Sequence, residues 1–265
     1  MTASINPNDP KSKFALLRSA AKFVLPGTAR QLIHSTHRAV IFHRAMNKFL
    51  LNIEHGLPFD RRILLDLIYG WGNEAWSADT EYLLGCLHHA QGCQGPVLEC
   101  GSGLSTLLVG AVLQKSGGVL YSLEHQKNWG DRVSSFLKRY GIDSVLMHVH
   151  PLKEYADFTW YEIPAERLFD KYPLVVCDGP PSATRGGRYG LIPLMKSQLA
   201  PGCVILLDDA DRTHEQVIAN RWAQELDTPY ETLGSTQPYI RFELNKNTNN
   251  QPDSILPESI AHGAR

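Results

Sequence analysis

Three carboxylates stand directly behind two short apolar runs: Asp178 after Leu174-Val175-Val176-Cys177, and Asp208 with Asp209 after Cys203 to Leu207. If those runs are neighbouring strands, the acids converge at one edge, where they repel one another unless something positive lies between them. A hard divalent cation such as Mg²⁺ accepts that oxygen set while keeping several waters. Each acid also has a plain structural use. Asp178 can cap the Gly179-Pro180-Pro181 turn, and Asp208, Asp209 or Asp211 can cap the helix expected from about Thr213. His214 lies a few residues beyond the pair, in reach of a general-base role, although a lone histidine at a helix start is commonly a surface residue. Arg185, Arg188 and Tyr189 follow the Pro-Pro turn, either to bind an anionic group or as a solvated loop. Trp160-Tyr161 offers a stacking wall for a ring or sugar, or simply core packing.

A second group of residues surrounds a glycine turn, Glu99-Cys100-Gly101-Ser102-Gly103-Leu104-Ser105-Thr106, entered from Val97-Leu98. Gly101 and Gly103 let the backbone turn tightly and approach a ligand, and the helix that follows offers free N–H groups. A dinucleotide fingerprint needs a glycine where Thr106 stands, and Glu99 at the strand end would repel a pyrophosphate. A carboxylate there suits a ligand carrying an ammonium group, such as the methionyl part of S-adenosylmethionine. Glu124, followed by His125, ends the next apolar run, where a ribose diol would donate two hydrogen bonds to it.

The elements that must position these residues alternate strand and helix. Val97-Leu98, Val119 to Leu123, Val145 to Val149, Leu174 to Cys177 and Cys203 to Leu207 read as strands. Ser105 to Lys115, Asn128 to Tyr140, Tyr189 to Leu199 and His214 to Leu226 read as helices. This order predicts an α/β fold with a doubly wound, mostly parallel sheet covered on both faces. Tyr230 to Leu233 and Tyr239 to Leu244 flank Gly234-Ser235-Thr236-Gln237-Pro238 and predict a closing antiparallel hairpin.

With the glycine turn, Glu99, Glu124 and the hairpin in this order, the stretch from about Trp71 to Leu244 resembles the class I S-adenosylmethionine-dependent methyltransferases. Ser105 stands where a third glycine is common in their first motif, and Glu124 at their ribose-binding acid. Trp71-Gly72-Asn73-Glu74-Ala75-Trp76-Ser77, Val176 to Pro181 and Leu206 to Arg212 look like a bacterial subgroup of that family. The resemblance implies a seven-stranded Rossmann-like sheet with strands six and seven antiparallel. It implies a cofactor held by Glu99, Gly101, Ser102, Gly103, Ser105, Thr106, Glu124 and His125. His150 would lie against the adenine, Ser77 would close over the methionyl end, and Asp178 would border cofactor and acceptor. The acid set is similar to that of catechol-type and sugar O-methyltransferases, which implies Asp178, Asp208 and Asp209 as ligands of a divalent cation that orients an acceptor hydroxyl. Asp209 takes a place where an Asn is common in the catechol-type group. The activity implied is O-methylation of a small molecule or glycan, with Asp178 and His214 as catalytic residues.

Composition bounds these readings. A chain of 265 residues with 43% hydrophobic and 20% charged residues can form a sizeable core. The net charge of -1 excludes a polycation for nucleic acid. The five cysteines are never spaced as CxxC and lie mostly in apolar runs, so buried thiols in a reducing cytoplasm are expected. One asymmetry is hidden by the average. Lys11 to Ile53 holds eight Lys and Arg and no acid, which leaves about -9 for the rest. Leu16, Leu17, Ala20, Ala21 and Val24 recur at helical spacing, Pro26-Gly27 interrupts, and a second helical pattern runs on from about Ala29. Three parts are therefore expected: a basic helical region over 1–70, a catalytic domain over 71–245 and a mobile tail over 246–265. The basic region can lie on an anionic membrane or an acidic partner, or pack on its own domain or a second subunit. Two other function classes fit less of the pattern: a non-catalytic cofactor-binding module docked through the basic region, and a nicotinamide-dependent oxidoreductase.

Overall fold

The computed structural model describes residues 27–73, 78–163 and 168–246. The helical pattern expected over residues 11–24, the residue Ser77 and the tail after Lys246 lie outside these. Among the described residues no helix is long and apolar enough to cross a membrane.

Among the described residues three helices precede the sheet: α1 (Gly27–Glu54), α2 (Arg61–Trp71) and α3 (Thr80–Gln91). Asp60 and Asp79 start the second and third by accepting the N–H of Arg62 and of Glu81, so donors that a helix start leaves free are taken up. The rest of the chain winds as β1 (Val97–Cys100), α4 (Leu104–Ser116), β2 (Leu120–Glu124), α5 (Lys127–Tyr140) and β3 (Val145–Val149). A small antiparallel pair follows, β4 (Leu152–Glu154) with β5 (Thr159–Tyr161). Then come β6 (Tyr172–Cys177), a 3₁₀ turn at Gly187–Gly190, α6 (Leu191–Met195), β7 (Leu199–Leu207), α7 (Thr213–Leu226), β8 (Tyr230–Leu233) and β9 (Tyr239–Glu243).

The main sheet has seven strands in the order β3-β2-β1-β6-β7-β9-β8, and only the pairings to β9 are antiparallel. This is the architecture that the class I resemblance implies. Strand order reverses between β1 and β6, where a parallel sheet opens a crevice beyond its carboxyl ends. β1 and β2 are buried along their whole length, as strands covered by helices on both faces must be. The helix expected over Tyr189 to Leu199 is instead a 3₁₀ turn, one short helix and a second 3₁₀ turn. β4 and β5 were not foreseen, because three-residue strands give too short an alternation to read.

Successive strand residues point to opposite faces, and two core layers result. Val97, Leu120, Leu174 and Val176 pack beneath α3 and α4, while Leu98, Cys100, Tyr121, Val175 and Cys177 pack beneath α6 and α7. Helix α1 shares the first layer. Its Phe42, Ala45, Met46 and Phe49 are buried, and the Phe42 ring lies 5.6 Å from Trp71 and 5.4 Å from Phe136. Gly70 permits this approach, because a Cβ there would come within 2.7 Å of the Phe42 backbone. The described part of the region expected over 1–70 and the domain expected over 71–245 thus share a core across their expected boundary, through residues 42–70.

Candidate active site

The carboxyl ends of β1, β2, β6 and β7 surround one cavity of about 470 Å³, within the roughly 300–1,000 Å³ common for small-molecule sites. Of the residues assigned to the cofactor, Gly101, Ser102, Glu124, His125 and Asp178 line it, and so do all three of Asp178, Asp208 and Asp209. The two halves of the expected site therefore share a single crevice.

The turn between β1 and α4 lies at its floor. Gly101 has φ +89°, and a Cβ there would stand 2.8 Å from the backbone nitrogen of Gly179. Only glycine meets both demands, so the first glycine of the turn is what lets the β1 and β6 ends touch. Glu124, last in β2, is 4% exposed. Its Oε2 accepts the Ser102 hydroxyl at 2.7 Å, and its Oε1 accepts the N–H groups of His125 and Gln126 at 2.7 and 2.8 Å. Burial opposes its charge, but these donors prevail and hold the carboxyl below its ordinary range. A fixed negative charge therefore faces the cavity beside the glycine turn.

Glu99 is placed otherwise than expected. β1 runs on to Cys100, and the register sets Glu99 beside Ser122 of β2, on the face covered by α4. Its side chain is fully buried and is not part of the cavity wall. Oε1 accepts the Ser105 hydroxyl at 2.7 Å, and Oε2 accepts those of Thr106 at 2.7 Å and Ser122 at 2.6 Å. Thr106 Oγ1 in turn accepts the Gly103 N–H at 2.8 Å. Glu99, Gly103, Ser105 and Thr106 thus form a clasp that holds the turn in shape, with Glu99 buried at its centre and off the cavity wall. Burial pushes the Glu99 carboxyl up to about 7, against the pull of the three hydroxyls.

Two further assigned residues lie off the cavity wall. His150 accompanies β3, but its Nε2 is buried without a partner and the residue does not reach the cavity wall. His214, at the start of α7, is exposed and off the wall, and its ring lies over Gly187. Trp129 lines the cavity without having been assigned to it, and of the pair offered as a stacking wall Tyr161 lines it while Trp160 lies in the core. Trp129 donates its indole N–H to the Ser102 carbonyl at 2.8 Å. Tyr161 is 1% exposed with an unpartnered hydroxyl, close enough to Gly179 that a Cβ there would meet it at 2.6 Å.

At the far end the three acids come together, with one oxygen of each within 4.8 Å of the others. The positive charge between them comes from Arg188. Its Nη2 donates to Asp178 Oδ1 at 2.8 Å and Asp209 Oδ2 at 2.6 Å, and its Nη1 donates to the Asp208 carbonyl at 2.7 Å. Arg212 adds a second contact to Asp209 Oδ2 at 2.8 Å. Arg188 is 2% exposed, so it forms part of the site's floor and is neither a solvated loop residue nor a free anion-binding group. Arg185 is spent on the Tyr155 carbonyl, and Tyr189 donates to Glu225. Asp209 holds φ +62°, a left-handed conformation that Asp and Asn tolerate better than other side chains. Burial pushes the Asp178 carboxyl up to about 6, opposed by Arg188, and burial with Asp178 beside it drives Asp208 well up. A divalent ion fits this arrangement poorly, because one oxygen each of Asp178 and Asp209 already serves the Arg188 guanidinium, which would stand beside the ion. The signal for Arg188 was present in Gly186-Gly187-Arg188-Tyr189-Gly190, a glycine-flanked arginine, but which way it turned depended on the packing.

Residues 98–210 match the model of a family described as a methyltransferase domain. No curated protein matches the chain. Among solved structures, the O-methyltransferase from Bacillus cereus in complex with S-adenosylhomocysteine aligns at TM-score 0.51 and 15% identity, over 87% of this chain and 97% of that one. The Podospora anserina methyltransferase PaMTH1, also bound to S-adenosylhomocysteine, aligns at TM-score 0.47 and 14% identity, over 92% and 100%. The O-methyltransferase TomG from Streptomyces achromogenes aligns at TM-score 0.47 and 15% identity, over 76% and 89%. At such identities the Bacillus cereus structure establishes a shared fold, and the matching family supplies its description.

Proposed function

We propose that this protein transfers a methyl group from S-adenosylmethionine to a hydroxyl oxygen of a small molecule or glycan. The observation that carries the reading is the single crevice joining Glu124 and the glycine turn at one end to Asp178 and Asp209 at the other. In this reading the ribose diol meets Glu124 at the rim of β2, in exchange for the Ser102 hydroxyl. The glycine turn lets the methionyl chain lie close to the backbone. A dinucleotide diphosphate would face the ionised Glu124 on one side of the turn and Asp178 on the other, so the cavity wall disfavours it.

The acceptor end works through position and charge. Asp178 follows β6 directly beside Gly101, and its carboxylate is anchored on one oxygen by Arg188. It accepts a hydrogen bond from the acceptor hydroxyl and takes the proton as the new bond forms. A C–O bond forms to the methyl carbon, the C–S bond breaks with its electron pair returning to sulfur, and S-adenosylhomocysteine leaves. Most of the rate gain in such a transfer comes from holding the two reactants in line, and the general base adds about 10²–10⁴-fold.

Titration of the purified protein with S-adenosylhomocysteine by calorimetry tests the cofactor half, and saturable heat with one site is expected. No heat and no thermal shift would remove the proposal. With an acceptor in hand, Asp178→Asn should lower kcat by at least about 10²-fold while leaving S-adenosylhomocysteine affinity within a few-fold.

A further inference from the structure

We infer that Arg188 is the resident cation of the acceptor end, occupying the place the family resemblance gives to a divalent ion, so that this chain needs no bound metal. The inference rests on the reading of the Asp178 end as the acceptor site.

Four observations carry it. Arg188 Nη2 engages one oxygen each of Asp178 and Asp209, two of the three acids that converge as a ligand set. The guanidinium is also tied to the fold itself, since Nη1 donates to the Asp208 main-chain carbonyl at 2.7 Å. The chain is shaped to deliver it there. Gly186 and Gly187 hold φ +75° and +51°, and the 3₁₀ turn they open buries Arg188 to 2% exposure. Finally, a second guanidinium, that of Arg212, already contacts Asp209. A metal entering this set would have to expel Arg188 from Asp178 and Asp209 and leave a buried guanidinium with only the Asp208 carbonyl and the Glu215 carboxylate, the latter 3.9 Å away, which is unfavourable.

The two occupants have different consequences for the acceptor. A metal would bind acceptor oxygens directly and favour a chelating diol. With Arg188 holding one oxygen of each, Asp178 and Asp209 line the cavity with a second oxygen that Arg188 does not use, a surface suited to neutral hydroxyl donors and repellent to carboxylates or phosphates.

Mn²⁺ titration followed by electron paramagnetic resonance, with S-adenosylhomocysteine present and absent, tests the inference without an acceptor. The wild-type protein should show no saturable site up to about 1 mM Mn²⁺. Arg188→Met should gain one saturable site, with a rise in Tm on adding Mn²⁺, and the further change Asp178→Asn should abolish both. A saturable wild-type site lost in Asp178→Asn overturns the inference, as does a folded Arg188→Met protein that binds no Mn²⁺. If Arg188→Met fails to fold, the wild-type titration alone decides. Failure to bind S-adenosylhomocysteine would sink the transferase reading separately, because the Mn²⁺ measurement is read independently of it.

Discussion

A carboxylate acts through what faces it, and Glu99 and Glu124 show how far two glutamates 25 residues apart can diverge. Glu124 is held ionised at the cavity wall by backbone and side-chain donors. Glu124→Ala should weaken S-adenosylhomocysteine binding by about 10–100-fold, the loss of one charge-assisted contact, measurable by calorimetry. Glu99 sits among hydroxyls beneath a helix, with its carboxyl pushed up to about 7. Its folded pKa exceeds the unfolded value of about 4.3, so between these limits the native state holds a proton that the unfolded chain has lost. Unfolding free energy should therefore fall as pH rises from about 4.5 to 7, by about 1.4 kcal/mol per pH unit from this one group. Glu99→Gln should flatten that part of the stability–pH curve, as followed by urea denaturation across the range.

Parity explains the difference at the level of elements. Side chains alternate across a strand, and the two residues that take β1 past Leu98 to Cys100 put Glu99 on the face of Val97, under α4, where the clasp with Ser105, Thr106 and Ser122 follows. The strand, the turn and the helix were legible from the alternation of apolar runs and glycines. Where β1 stopped was not, because hydrophobicity marks the middle of a strand and pairing with its neighbours marks its end. The same turn carries the steepest backbone demand of the site. Gly101→Ala adds a Cβ 2.8 Å from a main-chain atom at φ +89°. It should cost about 1–3 kcal/mol, lower Tm by roughly 2–4 °C per kcal/mol, and abolish saturable S-adenosylhomocysteine binding, as calorimetry would show.

For the whole molecule, the question is whether the basic N-terminal region is separate. Its described part is not, since α1 contributes Phe42, Ala45, Met46 and Phe49 to the layer beneath α3 and α4. Phe42 meets Trp71, Phe136 and Tyr140 in one aromatic cluster. Phe42→Ala should therefore destabilise by about 3–5 kcal/mol in a single cooperative transition of the whole protein, seen by calorimetric melting. A small early transition with the main one unmoved would show the helix to be independent.

The class I resemblance implies the seven-stranded order, and the order of apolar runs, glycines and acids alone determines a mostly parallel α/β sheet with an antiparallel end and with acids directly behind its strands. Such features follow from local periodicity and chain order, which a sequence carries directly. The tertiary structure alone decided which charges face each other. It hid Glu99, kept His150 and His214 off the cavity wall, and drew Arg188 in beneath Asp178 and Asp209. Each of these depends on strand parity, on two glycines of positive φ and on contacts between residues far apart in the chain. The sign of the charge at the acceptor end is thus a property of packing, and no spacing of letters encodes it.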